Sequence, residues 1–192
     1  MIMEGEFRLL DGAALSRVYR DHVRRDFPPA ERKPLQAMER MRRIGRYDPL
    51  GYYSGEKLLG YAFLWRDRAG EYVLLDYLAV CPEGRGQGTG TAMLEGLKAR
   101  YRRCRAILAE AEAVGEDAAP EENALRLRRL RFYRRAGFRD LGWRVRLFGV
   151  WYTLLASGPA AADAALEGHR GIYAGEGALM SRLVLKIRYE KE

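Results

Sequence analysis

The sequence predicts an α+β fold, built on a mixed and mostly antiparallel sheet with helices on its faces. Three observations lead there. Strand-like segments at 52–53, 58–65 and 72–80 follow one another through short turns containing Gly55 and Gly70, as an antiparallel meander does. The third segment runs into glycines at alternate positions, Gly84, Gly86, Gly88 and Gly90, and then into a stretch with helical periodicity. Another apolar strand comes after that helix, and a helix between two strands implies a right-handed crossover that sets them parallel.

The elements follow in order. Phe7 to Leu10 reads as a short first strand, and Asp11 is a natural N-cap for a helix through Leu15, Val18, Tyr19 and His22. The proline-rich stretch from Phe27 to Pro34 interrupts it. A second helix spans Leu35 to Ile44 and is closed by Gly45, where a left-handed cap is wanted. Tyr72 to Val80 is apolar except for Asp76, as a central strand covered on both faces requires. Cys81-Pro82-Glu83 ends it, because proline cannot donate the next ladder hydrogen bond. From Thr91 onward Met93, Leu94, Leu97 and Tyr101 recur at helical spacing. Ala106 to Ala111 is the crossover strand, with Leu108, Glu110 and Glu112 on one face.

An acidic loop with Glu112, Glu116, Asp117, Glu121 and Glu122 leads to a helix over Asn123 to Ala136. At 100° per residue Leu125, Phe132 and Ala136 form its inner face, with Tyr133 and Arg129 on the shoulder. A charge there calls for a carboxylate partner, and Glu110 and Glu112 are the nearest in topology. Trp143 to Phe148 and Val150 to Ala156 form a hairpin around Gly149. Beyond the break at Ser157-Gly158-Pro159, a helix is expected around Ala161 to Tyr173 and a last strand over Leu183 to Tyr189. The domain reading is a single domain over 1–156 with a helix-strand extension, 157–192, packed on it.

The chain has 192 residues and a net charge of +8, long enough for a substantial core. The start, MIMEGEFRLL, has no apolar stretch of signal-peptide length, and the run from Phe148 to Ala156 is too short for a membrane span. Cys81 and Cys104 make neither a disulfide framework nor a metal quartet, so no metal is expected and the chain reads as cytoplasmic. The positive charge is almost all arginine and is spread along the chain, which argues against nucleic acid as the main partner. His22 and His169 have no partner at ligand spacing and read as ordinary surface or core residues.

The glycine stretch carries the chemistry. A strand feeding glycines into a helix N-terminus exposes amide N–H groups at the positive end of the helix, and the absent side chains admit a phosphate. The spacing is not the dinucleotide fingerprint, since Thr89 or Thr91 falls where the third glycine belongs, and no Lys-Ser or Lys-Thr follows as in a P-loop. It does match Arg/Gln-x-x-Gly-x-Gly/Ala as Arg85-Gly86-Gln87-Gly88-Thr89-Gly90. With this loop, and with the later segment Phe132-Tyr133-Arg134-Arg135-Ala136-Gly137-Phe138, the chain resembles the GNAT family of N-acetyltransferases over roughly 7–156.

The resemblance implies a three-layer α/β/α arrangement whose central parallel strands splay apart. It implies acetyl-CoA as cosubstrate, with backbone groups of Leu78, Ala79 and Val80 on the pantetheine arm. The Val80 N–H would face the thioester oxygen, where it could stabilise an oxyanion. Arg85, Gly86, Gln87, Gly88, Thr89 and Gly90 would hold the pyrophosphate. Asn123 matches a position that often touches the cofactor arm, and is equally a helix N-cap. Tyr133 matches the tyrosine beside the CoA sulfur, where a phenol can protonate the leaving thiolate.

The family has no universal base. Asp76 and Glu110 are equal candidates, against readings in which Asp76 satisfies polar neighbours and Glu110 pairs with Arg129. Cys81 follows the strand closely, but without a histidine partner the sequence argues against a nucleophile. The resulting expectation is an acetyl-CoA-dependent N-acetyltransferase acting by direct attack of a primary amine, small-molecule or peptide, with a homodimer compatible. A non-catalytic acyl-CoA-binding module on the same fold, and an arginine-rich nucleic-acid-associated protein, are the alternatives.

Overall fold

The computed structural model describes residues 5–115, 118–147, 149–174 and 187–191. Eight strands form one mixed sheet in the order β1-β2-β3-β4-β5-β7-β6-β8, with β4 and β5 parallel and helices flanking. The chain divides into two compact units: Met1–Arg66 with Leu75–Arg100, and Asp67–Leu74 with Tyr101–Glu192. Strand β4 (Tyr72–Val80) contributes to both.

In the first unit β1 (Glu6–Leu9), β2 (Tyr47–Ser54) and β3 (Lys57–Arg66) pair antiparallel, with Phe7 opposite Tyr52 and Leu50 opposite Ala62. Asp11 caps α1 (Gly12–Val18), its Oδ1 accepting the Ala14 N–H at 2.8 Å. The expected single helix through His22 instead widens into a π-type turn over Tyr19–Val23 and ends as α2 (Arg24–Asp26). Such a turn inserts a residue into the helix without breaking it, which rotates the side chains that follow. Helix α3 (Leu35–Arg43) closes at Gly45, whose φ is +72°.

Behind β4, α4 (Thr89–Arg100) buries Thr89, Met93, Leu94 and Leu97. It starts two residues ahead of the expected Thr91. Gly60 on β3 allows the close approach: a Cβ there would stand 2.7 Å from both the Ala79 carbonyl oxygen and Met93 Sδ.

The second unit is built from β5 (Ala106–Glu112), α5 (Pro120–Arg135), β6 (Arg139–Leu147), β7 (Val150–Ser157), α6 (Ala162–Ala174) and β8 (Arg188–Lys191). Strand β7 pairs antiparallel with β5, Leu154 opposite Glu110, and β6 pairs antiparallel with β7 and with β8. The turn at Gly149, with φ +91°, joins β6 to β7. Glu116, Asp117, Phe148 and positions 183–186 of the expected last strand lie outside the described residues.

Helix α5 differs from its expected form in two respects. It begins at Pro120 with Ala119 as cap, so Asn123 is not an N-cap. Its inner line is Asn123, Arg126, Leu130 and Tyr133, while Leu125 is 60% exposed. The hydrophobic pattern misled because polar anchors hold half of that face. Arg126 Nε lies 3.2 Å from Glu112 Oε2, and Asn123 ties down the preceding loop. Arg129 does reach Glu112, at 3.8 Å, but its side chain is 56% exposed, so the sheltered charge on this helix is Arg126.

One glycine tests which force governs α6. Alanine in a helix interior is favoured over glycine by about 1 kcal/mol on propensity alone. A Cβ at Gly168, however, would stand 2.4 to 2.6 Å from ring atoms of buried Tyr72. Gly168→Ala is expected to destabilise by about 1–3 kcal/mol, the usual cost of overpacking, as read from urea unfolding; a more stable variant would mean that propensity wins.

Candidate active site

Apart from Asp76, strand β4 is buried until Leu78, Ala79 and Val80, three consecutive partly exposed residues. A short 3-10 turn, Pro82–Gly84, follows, and then Arg85 in extended conformation. Gly86 and Gly88 take φ of +74° and +76°, the left-handed region that favours glycine, and both are exposed. The N–H of Ala92 is the first to bond back along α4, to Gly88 O at 3.0 Å. The amides before it in the helix's first turn have no intrahelical acceptor, as at any helix start. Nothing lies within 4 Å of where a Gly86 Cβ would be, so the loop is open.

This arrangement of left-handed glycines, open space and first-turn amides fits a phosphate. Thr89 is buried with Oγ1 lacking a hydrogen-bond partner, while Gln87 Nε2 donates to Glu83 O and Arg85 Nε to Val80 O at 3.2 Å. Arg85 thus folds back over the end of the strand.

Asp76 is fully engaged within the same unit. Lys33 Nζ donates to both carboxylate oxygens at 2.9 and 3.0 Å, and the Tyr47 hydroxyl to Oδ2 at 2.5 Å. Lys33 Nζ also sits 4.6 Å from the centre of a Trp65 ring. Its backbone is held at both ends, its N–H donating to Tyr77 Oη and its carbonyl accepting from the Tyr19 hydroxyl. Tyr77 in turn donates to Glu31 O. Asp76 therefore fastens the proline-rich segment to the sheet. Protonating it would strip Lys33 of its counter-ion where only 16% of that side chain meets water.

Cys81 does have a histidine neighbour, contrary to the sequence expectation: His22 Nδ1 lies 3.7 Å from its Sγ. The π-type turn delivers His22 from a helix far away in sequence. Burial nonetheless pushes the thiol up to about 11, with Glu83 and Asp26 adding to the shift, so it stays protonated at neutral pH. His22 also faces Arg25, and Arg25 pairs with Asp26 at 2.9 Å. The pair is a packed contact and not an activated nucleophile.

The second unit holds the remaining candidates. Tyr133 is buried on α5 between Phe132 and Phe138, with ring centroids at 5.4 Å in both cases. Loss of water pushes its hydroxyl up to about 12, slightly opposed by Arg129. Among the described residues that hydroxyl has no hydrogen-bond partner, so it is a protonated donor with its bond unspent. Asn123 is spent: its Oδ1 accepts the Gly115 N–H, and its Nδ2 donates to Gly115 O at 2.8 Å and Ala118 O at 3.3 Å.

Glu110 does not pair with Arg129. Its Oε1 takes His169 Nε2 at 2.6 Å and the Tyr173 hydroxyl at 2.9 Å. Neither partner was singled out in the sequence as belonging to a site. They lie 59 and 63 residues downstream, and no spacing rule connects them. Among the described residues no group of three or more His, Cys, Asp or Glu side chains could hold a metal ion, and no helix is long and apolar enough to cross a membrane.

Residues 48–140 match the model of the acetyltransferase (GNAT) domain. A sequence search of curated proteins finds no significant match. Among solved structures, a protein from Bacteroides thetaiotaomicron assigned to the GNAT family is similar at TM-score 0.65 and 21% identity, over 85% of this chain and 93% of that one. The ribosomal-protein-S18-alanine N-acetyltransferase of Escherichia coli is similar at TM-score 0.58 and 19% identity, over 80% and 92%. The aminoglycoside acetyltransferase AAC(6')-Ib, in complex with coenzyme A and kanamycin, is similar at TM-score 0.56 and 16% identity, over 81% and 95%. These likenesses establish a shared GNAT fold, in agreement with the acetyltransferase (GNAT) domain match over residues 48–140.

Two tests follow from the site. Asp76→Ala leaves Lys33 sheltered and unpaired and should cost about 3 kcal/mol in urea unfolding; a loss below 0.5 kcal/mol would mean that the ion pair is solvated. For Tyr133 the folded-state value is raised from 10 to about 12, so the stability it contributes is intact below pH 10 and is lost as pH climbs to about 12. Tyr133→Phe should therefore make the alkaline fall in unfolding free energy shallower than in the wild type.

Proposed function

We propose that the protein is an acetyl-CoA-dependent N-acetyltransferase that moves an acetyl group to a primary amine by direct attack. The observation that carries the reading is the partly exposed end of β4 leading into left-handed Gly86 and Gly88 at the start of α4. When bound, acetyl-CoA supplies an activated thioester. Leu78, Ala79 and Val80 hold the pantetheine arm by their backbone groups, and the Val80 N–H faces the oxygen on which charge develops. Arg85, Gly86, Gln87, Gly88, Thr89 and Gly90 hold the pyrophosphate.

Tyr133 donates the proton that the departing sulfur needs. Glu110 serves as the base in preference to Asp76, because Asp76 is already committed to Lys33 and Tyr47. Asn123 acts on the cofactor arm at most through its backbone, since its amide group is tied to the preceding loop. Positions 157–192 extend the domain formed by 1–156.

The acceptor is a small-molecule or peptide amine. The relatives named above act on an alanine of a ribosomal protein and bind kanamycin, which spans both classes. The deciding experiment is acetyl-CoA-dependent thiol release with kanamycin, spermidine, free amino acids and a short peptide with N-terminal alanine. Release with one class supports the reading. Acetyl-CoA binding without release to any amine would instead indicate a binding module, and absence of binding would end both readings.

Two variants sharpen the assignment. Gly88→Val, at a left-handed position, should weaken acetyl-CoA binding at least tenfold in calorimetry of the folded variant, with about 1–2 kcal/mol lost from stability to the strained backbone. Tyr133→Phe should lower kcat by about 100-fold and leave acetyl-CoA affinity within a factor of two; equal losses in both would remove Tyr133 from the acid role.

A further inference from the structure

We infer that His169, supplied by the C-terminal helix, is the positioning residue that turns Glu110 into a one-sided base; this rests on the acetyltransferase reading above. His169 is completely buried, and its Nε2 stands 2.6 Å from Glu110 Oε1. The Tyr173 hydroxyl donates to the same oxygen at 2.9 Å. Among the described residues no donor reaches Oε2, although the side chain is 16% exposed. Two donors thus pin one oxygen of the carboxylate and leave the other to meet a proton.

The state of the imidazole follows from its other contact. An ionised carboxylate only accepts, so Nε2 carries the hydrogen. Nδ1 is 3.0 Å from the Tyr189 hydroxyl and accepts from it in the neutral ring. The Tyr189 hydroxyl, on β8, can donate to Nδ1 and so accommodates the tautomer that the carboxylate on Nε2 requires. Arg170 braces Tyr189 with its guanidinium 4.7 Å from the ring centre and is itself paired with Glu167 at 2.6 Å.

The charged and titratable groups around the dyad are accordingly Tyr173, Arg170 and Glu167 from α6, Tyr189 from β8, and Glu112 on β5 itself. Glu112 is occupied by Arg126 and Arg129, and the residue opposite Glu110 on β7 is the apolar Leu154.

In the reaction the acceptor enters as an ammonium and gives one proton to Glu110 Oε2. Its nitrogen then forms the new C–N bond as the C–S bond breaks. The second N–H proton accounts for the one on the departing thiol, with Tyr133 as the donor to sulfur. Glu110 returns the first proton to water. The net products are amide, thiol and one proton. His169 and Tyr173 each donate to Glu110 Oε1, and removing either leaves that carboxylate one donor short.

The test uses the full chain with 13C-labelled glutamate. The Glu110 carboxyl resonance is assigned by its loss in Glu110→Gln and followed through pH. In His169→Leu and in Tyr173→Phe the titration midpoint should move to higher pH. In His169→Gln, whose side-chain N–H can take the place of Nε2–H, it should return toward the wild type. With whichever of kanamycin, spermidine or the alanine peptide is acetylated, the acidic limb of kcat/KM should move the same way, with a loss of about tenfold at neutral pH.

If His169→Leu does not fold, Tyr173→Phe still removes one donor at almost unchanged volume. An unmoved Glu110 midpoint in a folded, active variant, or 15N shifts that put the His169 proton on Nδ1 alone, would overturn the assignment. Silence of the wild type with every amine would overturn the acetyltransferase reading itself.

Discussion

A carboxylate held away from water needs donors, and that constraint governs how both units are put together. Two carboxylates stand on the central parallel strands, Asp76 on β4 and Glu110 on β5. Each is satisfied by residues from far along the chain, and the two solutions differ in kind. Asp76 receives a cation and a phenol across both oxygens, which closes it off and makes it a fastening point for the proline-rich segment. Glu110 receives an imidazole N–H and a phenol on one oxygen only, which holds the group in place and leaves its other oxygen without a donor among the described residues. The first arrangement ties a loop to the sheet with both oxygens, and the second fixes a side chain through one.

The same economy explains the arginine-rich helix. Helix α5 would look poorly amphipathic if only apolar residues were counted, because Leu125 and Leu127 face water. Its inward line mixes Leu130 and Tyr133 with Asn123 and Arg126, whose polar ends meet the loop backbone and Glu112. Tyr133 is thereby oriented by polar contacts two and three turns earlier in the helix. Much of the basic charge elsewhere lies in exposed side chains paired locally at the surface, such as Arg170 with Glu167 and Arg134 with Asp140. Exposed pairs of this kind contribute little to stability.

Local features were readable from the chain itself. The Asp11 cap, the left-handed Gly45, the turn at Gly149 and the succession of strands along the chain through β7 follow from residue types whose backbone preferences act over a few positions, whereas the place of β7 between β5 and β6 does not. Where side chains rather than backbone decided, reading stopped short. Lys33 was one charge in a loop, His22 and His169 two isolated histidines, and nothing in their spacing pointed to Asp76, Cys81 or Glu110. A π-type turn shifted His22 by its extra residue, and polar anchors rotated the inner face of α5 away from the pattern its leucines suggested.

By itself, then, the sequence determined the strand, glycine turn and helix of the phosphate-type loop, because glycine's access to positive φ and the helix's unpaired amides are properties of a contiguous segment. Only the tertiary structure decided which carboxylate is closed and which is open. That depends on donors brought together from positions 59 and 63 residues apart, and a chain expresses such distances only once it has folded.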